Sequence, residues 1–319
     1  MRQIPLRSEW PVRSRTLGGA LAFAVLVLLG AGTAAAQDAA ALQARLSALG
    51  AQLSNNAFER PLVLVSTEAS GNLKGDVYAI AAQPYKVVGP ALQGMGHWCD
   101  ILILHLNVKG CTWRSTGATN TLTLAVGRKF DQPLEDAVKV DFNYRVGTST
   151  NDYLQVLLSA DAGPFGTKDY RIVLEATPID AGSSFIHMSY SYSYGMAARI
   201  AMQGYLATLG RDKIGFSIVE RKGDGTPVYV GDLRGVIERN AMRYYLAIDA
   251  FLGALASPSA EQPEKRIRDW ITNTERYPRQ LHELDREEYL TMKRRELARQ
   301  RSRSWRRRPR TSRPASRPT

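Results

Sequence analysis

The chain has 319 residues, 44% of them apolar, enough for a real core in one large domain or two small ones. Its net charge of +12 suggests a nucleic-acid partner, but residues 1–36 hold +3 and Lys293–Thr319 hold +11, leaving the body at about −2. That distribution excludes a basic nucleic-acid-binding fold and places the charge in a tail.

The first residues form three zones. Arg2, Arg7, Arg13 and Arg15 are positive, offset by Glu9; an apolar run covers Leu17–Gly32; Thr33-Ala34-Ala35-Ala36-Gln37 supplies small residues for a peptidase. This is the pattern of a secretory signal peptide, cleaved after Ala36. The competing reading is an uncleaved anchor, but a run of about 16 residues falls short of the roughly 20 that cross a bilayer. The mature protein is therefore expected in the periplasm or secreted. There, the polyanion available to the tail is an anionic envelope surface, not a chromosome.

Residues 38–53 carry Leu42, Leu46, Leu49 and Leu53 at helical spacing. Leu62–Ser66 and Gly75–Ile80 read as strands joined by a turn at Gly71–Gly75. Pro84 opens a short helix to about Leu92, which Gly94-Met95-Gly96 ends. Ile101–Leu106 fits strand or helix. Cys99 and Cys111 are the only cysteines. An oxidising compartment favours a bridge, which requires a bend, and Asn107–Gly110 offers one; two separate thiols are the alternative. With no Cys/His cluster, structural zinc is not expected.

From residue 121 the pattern is β, with runs at Thr121–Val126, Val138–Val146, Tyr153–Ala160, Asp169–Thr177 and Ser184–Tyr194, each bounded by turn residues. Val138, Val140, Phe142, Tyr144 and Val146 alternate with polar residues, as do Ile186, Met188, Tyr190, Tyr192 and Tyr194. That period predicts an antiparallel sheet with one buried face. A helix follows at 196–209, then an irregular or hairpin insertion at 214–232 turning at Gly223-Asp224-Gly225. Asp232 is placed to cap a helix over 233–255, striped by Ile237, Ala241, Tyr244, Ile248, Leu252 and Leu255. Ser257–Pro263 reads as a linker. Two charged helical stretches follow, 264–276 and 279–300, and an Arg/Ser/Pro tail, 301–319, with the composition of disorder.

The order of these elements resembles the START-like helix-grip superfamily of polyketide cyclases, pollen-allergen proteins and lipid-transfer domains. Three places carry the likeness: Gly75–Val88, a strand running into a helix at Pro84; His97–Leu102, a tryptophan-bearing segment; and Ser189–Gly195, a last strand entering the C-terminal helices. The resemblance covers roughly 60–256. It implies an α+β fold in which a curved antiparallel sheet grips a long C-terminal helix, with an apolar cavity between them. The expected organisation is a signal peptide (1–36), a helix-grip domain (37–256), a charged helical extension (257–300) and a disordered basic tail (301–319).

Phe142, Tyr144, Met188, Tyr190, Tyr192, Tyr244 and Ile248 are the residues expected to line that cavity, where rings give area and hydroxyls give orientation. Catalytic signatures are missing: no G-x-S-x-G, no glycine-rich phosphate loop, no H-E-x-x-H. The four histidines, His97, His105, His187 and His282, show no metal spacing. His187, on the serine face of its strand, reads as an acid or base, or as a hydrogen-bonded structural histidine. Arg145, Arg171, Asp141 and Glu175 read as a cross-strand charge surface, with an arginine anchoring a carboxylate ligand as the alternative. The expected function is a binding protein for an apolar small molecule or lipid, without cofactor, metal or nucleic acid. The alternatives are a cyclase- or hydrolase-like enzyme using the same pocket and an envelope scaffold docking through its tail.

Overall fold

A computed structural model describes residues 38–207 and 212–306. The expected signal peptide lies outside the described residues, as does the tail from 307 onward.

The chain is α+β, built on one curved antiparallel sheet of eight strands. They are β1 (Leu62–Ala69), β2 (Asn72–Ala81), β3 (Val108–Thr116), β4 (Thr119–Val126), β5 (Val138–Ser149), β6 (Leu154–Ala162), β7 (Thr167–Pro178) and β8 (Ser184–Tyr194). Their order is β1-β2-β8-β7-β6-β5-β4-β3. β3 to β8 form a meander, in which β4 to β8 match the predicted runs, and the β1–β2 hairpin joins it through β2–β8. Gly71 makes the hairpin turn at φ +81°, a left-handed conformation that glycine adopts without penalty. Ile101–Leu106, which fitted strand or helix, holds a helix end and a turn, and β3 follows it from Val108.

The alternation predicted for β5 and β8 is present in their middles: Val140, Phe142 and Tyr144 are buried, as are Met188, Tyr190, Tyr192 and Tyr194, whereas Val138 at the start of β5 is exposed and Val146 half-buried. These side chains line the concave face. Across it lies α5 (Asp232–Ala254), which buries Ile237, Ala241, Leu246, Ile248 and Phe251. Burying each large side chain stabilises the fold by about 1.5–3 kcal/mol. Gly75 lets helix and sheet approach closely, since a Cβ there would stand 2.9 Å from the Ala241 Cβ. The α5 cap differs from expectation: Gly231 occupies the cap, and Asp232 sits in the first turn without a side-chain capping bond.

α1 (38–54) covers part of the convex face, packing Leu42, Leu49 and Leu53 on Tyr78, Tyr153 and Phe185. α2 (Tyr85–Leu92) packs on β7, and α3 (Met95–Leu102) packs on β3 and α5. The bend between Cys99 and Cys111 falls at residues 103–107, earlier than the sequence suggested, because Val108 already begins β3. It brings the two Cα atoms to 5.2 Å, and a disulfide joins them.

α4 (Met196–Ala207) and a small hairpin, β9 (Ile218–Arg221) with β10 (Pro227–Tyr229), separate β8 from α5. α6 (Gln262–Thr274), α7 (Pro278–Leu281) and α8 (Arg286–Arg306) complete the described chain. Residues 257–300 are helical, as expected, but they are not a detachable appendage. Ile267, Trp270, Ile271, Tyr289, Leu290 and Met292 belong to the main core cluster. Trp270 donates its indole N–H to the Arg243 carbonyl at 3.1 Å, and the Tyr289 hydroxyl donates to the Leu104 carbonyl at 2.9 Å.

Candidate functional site

A pocket of about 400 Å³ opens where α5 leaves the edge of the concave face. Val236, Arg239, Asn240 and Arg243 line it from α5. Their spacing is that of one helical face, and Tyr244 continues the same stripe one turn on. Phe165, from the β6–β7 turn, and Met202, from α4, form the facing apolar wall. Asn107 and Lys129 complete it from the two loops that flank the β3–β4 pair.

Local sequence explains each placement. Asn107 is pinned to the end of β4: its Nδ2 donates to the Gly127 carbonyl at 2.7 Å, and its own carbonyl accepts from Gly127 N–H at 2.7 Å. That clasp sets the loop carrying Lys129. The β6–β7 turn is closed by Gly163 N–H donating to Thr167 O at 2.8 Å and by the Thr167 hydroxyl donating to Pro164 O. Between them Phe165 adopts φ +58°, and the residue is 83% exposed. A left-handed conformation disfavours a bulky side chain, so the turn holds an aromatic ring at the rim against its preference.

Below the pocket lies the predicted tyrosine cluster. Tyr190 packs its ring 5.0 Å from Tyr244 and 5.7 Å from Tyr192, and Tyr170 stacks on Tyr192 at 5.2 Å. The Tyr192 hydroxyl approaches the Met202 sulfur at 3.9 Å, connecting the cluster to the pocket wall. Burial raises the hydroxyl pKa of Tyr190, Tyr192 and Tyr244 well above the usual phenol value, so all three are neutral donors at physiological pH. His105 stacks on Tyr244 at 4.7 Å. Burial, reinforced by Arg243 and Lys293, holds its imidazole well below the usual pKa and therefore neutral.

Six of the seven residues expected to line a cavity are buried: Phe142, Tyr144, Met188, Tyr190, Tyr192 and Ile248. Tyr244 is half-buried. The fold gathers all seven into one hydrophobic cluster. None of them contributes to the wall of the 400 Å³ pocket. Tyr144 turns its hydroxyl onto the Gln93 carbonyl at 2.6 Å, and burial pushes its pKa up to about 12. Sequence reasoning missed the pocket wall itself. Val236 and Asn240 follow from extending the α5 stripe, whereas Asn107, Lys129 and Phe165 come from loops with no local signal.

On the convex face His187 is held as a hydrogen-bonded histidine, the second of the two roles read from sequence. Its Nδ1 lies 2.7 Å from Glu175 Oε2 and its Nε2 lies 2.8 Å from Asp76 Oδ1, with the ring stacked on Tyr78 at 4.3 Å. Tyr153 donates to Glu175, and Lys74 pairs with Asp76 at 2.9 Å. Burial pulls the His187 pKa down, but the bonds to both carboxylates outweigh it, and the net shift is upward. Glu175 is thus a partner of His187 rather than part of a solvated surface. Arg145 and Arg171 remain exposed and border an open groove of about 540 Å³ on the same convex side. Asp141 accepts from the Thr123 hydroxyl at 2.6 Å.

No family model matches the chain, and no curated protein matches it. Among solved structures it is similar to norcoclaurine synthase from Thalictrum flavum in complex with dopamine and hydroxybenzaldehyde. Identity is 12%, covering 46% of this chain and 91% of that one, with a TM-score of 0.31. A conserved protein from Geobacillus kaustophilus shares 15% identity, covering 44% of this chain and 86% of that one, at a TM-score of 0.30. A protein from Thermus thermophilus shares 9%, covering 58% and 99%, at 0.35. At these scores the architecture rests on the strand order and on α5 in the concavity, not on the likeness.

Proposed function

We propose that this chain is a binding protein that holds an apolar small molecule or lipid in the pocket at the edge of the sheet–α5 interface. One observation carries the reading. The pocket, at about 400 Å³, has the size of a small-ligand site, an apolar wall of Phe165, Met202 and Val236, and a few polar groups set by hydrogen-bonded loops. The neutral tyrosine cluster beneath offers further apolar area if the hollow deepens on binding. Among the described residues the lining has no carboxylate, imidazole, hydroxyl or thiol. Lys129 is the one group there suited to acid–base or nucleophilic chemistry, and it is paired with Glu283 at 2.6 Å, which favours holding over transformation.

Export is part of the same proposal. The three-zone N-terminus and the Cys99–Cys111 disulfide both suit an oxidising compartment outside the cytoplasm. N-terminal sequencing of the natural product should begin at Gln37; a retained leader overturns export with cleavage. For the ligand, organic extraction of the folded protein followed by mass spectrometry should release an apolar molecule. Val236→Asp should abolish its retention while the thermal melt stays cooperative. An empty extract, together with unchanged behaviour of Val236→Asp toward an apolar fluorescent probe, defeats the reading.

A further inference from the structure

α1 covers one part of the convex face, and the groove of about 540 Å³ opens on another. Its lining comes from β5, β6 and β7, with Ala118, Thr119 and Asn120 added from around the β3–β4 turn. The strand register sets Arg145 across from Leu157 and Val173, and Arg171 across from Ser159 and Asn143. The two arginines therefore stand at diagonal corners of one patch. By strand spacing and rise their Cα atoms are about 12 Å apart. Each stands beside a break in register. The β5–β6 pairing shifts between Val146 and Thr148, at Gly147. The β7–β8 pairing shifts between Lys168 and Arg171, where Asp169 takes φ +54°. Such bulges bend a strand and re-aim the side chains next to them. A Cβ at residue 147 would stand 2.9 Å from Leu157 Cδ1, so glycine there leaves room for the Leu157 side chain beside β5.

Arg145 and Arg171 are exposed, and among the described residues no carboxylate pairs with either. Asp141, Asp161 and Asp169 lie outside the groove lining; Asp141 accepts from Thr123, and Asp169 pairs with Lys168 at 3.9 Å. Farther along the same face Asp76 and Glu175 are both bonded to His187, so charge there is met within the fold. In the groove two cations face the opening. A guanidinium stays charged, and its planar fork matches a carboxylate. Leu157 and Val173, both half-buried, give the same patch an aliphatic surface. We infer that the groove binds an aliphatic dicarboxylate, with one carboxylate at Arg145, the other at Arg171 and the methylene chain over Leu157 and Val173. This site is separate from the pocket beside α5 and does not rest on that reading.

Calorimetric titration of the chain with adipate, its monoamide and its diamide tests it, since the three share a length and differ in charge. Each carboxylate lost should weaken binding about fivefold, the size of one well-formed exposed ion pair. Arg145→Gln and Arg171→Gln should each lower adipate affinity by a similar factor and erase the difference between adipate and its monoamide. Both side chains are exposed, so both variants should melt as the parent does. Equal binding of the three probes overturns the site. So does adipate binding that is unchanged when both arginines are replaced by Gln, or no binding of adipate at all. Displacement of an apolar fluorescent probe from the α5 pocket by adipate places the diacid there instead and also overturns it. None of these failures touches the pocket reading.

Discussion

Two clusters of buried cations lie at different edges of the same core, and they are built differently. Under α8, the Lys293 ammonium gives its donors to the His105 carbonyl at 2.8 Å, the Val108 carbonyl at 3.0 Å and Glu296 at 2.7 Å. Lys109 meets the same carboxylate at 3.2 Å, and the adjoining hollow is only about 80 Å³. Every partner there belongs to the protein. At the other edge Lys129, Arg239 and Arg243 surround a hollow about five times larger. Both clusters pair with a carboxylate, Glu296 in one place and Glu283 in the other, but the second borders the larger space. Buried charge becomes a candidate for function when the fold leaves room beside it, and is structural when the fold fills that room.

Removing α6–α8 breaks the comparison most severely, since it deletes the closed cluster outright. Truncation after residue 256 loses the burial of Ile267, Trp270, Ile271, Tyr289, Leu290 and Met292. At about 1.5–3 kcal/mol each, the loss rivals the entire stability of a typical domain. The truncated chain should give no cooperative thermal transition by circular dichroism. A cooperative melt would return 257–300 to the status of an appendage.

Glu296→Ala sharpens the contrast with less damage. It leaves Lys293 and Lys109 buried without their carboxylate, at a cost of about 3–5 kcal/mol, read as a lower urea midpoint. Burial holds Lys293 down to about 8, despite the opposing pull of Glu296. Without Glu296 it falls further. The unfolded lysine binds its proton to higher pH than the folded one, so the variant should recover stability as pH rises toward about 9. A deficit that stays constant with pH would place the cost in packing rather than in charge.

His187 tests a third arrangement, in which a cation is shared by two carboxylates beneath α1. Its raised pKa means that its contribution is complete below about 6.5 and is lost as pH climbs through the folded value. Asp76 and Glu175 are held low despite burial, chiefly by His187 with help from Lys74 and Tyr153. Their contribution is present above about pH 4 and is lost as pH falls through their folded values. The cluster is therefore strongest between about pH 4.5 and 6.5. His187→Gln should cost about 2 kcal/mol near pH 5.5 and less at pH 8.5, measured by denaturant titration at the two pH values.

How much of this was legible beforehand follows from where each signal is stored. Period-two alternation wrote β5 and β8 into the sequence, and the 3.6-residue stripe wrote α5, because each element has one face in the core. β3 was hidden because Val108–Thr116 shares its burial with α8, which removes the alternation. The depth of α6–α8 was hidden by their charge, since Lys293 and Glu296 look solvated until their carbonyl and ammonium partners are brought from 185 or more residues away. The tyrosine cluster was legible as a group. The pocket wall was not, because it joins single residues from separate loops and helices that only the tertiary fold brings together.

The smallest effect isolates the pocket rim. Phe165 holds a left-handed conformation and is 83% exposed as a residue, so its ring contributes little to the core. Phe165→Ala keeps the strain and removes the ring; its stability should match the parent within about 0.5 kcal/mol. Phe165→Gly removes the strain too, at about 1 kcal/mol, though the extra freedom of glycine in the unfolded chain offsets part of that gain. Glycine should therefore be slightly more stable than alanine at this position. Both variants should lose ligand affinity to the same degree, because both lack the wall. If affinity instead tracks the strain, with alanine binding as the parent does and glycine failing, then the turn's conformation shapes the pocket and the ring does not.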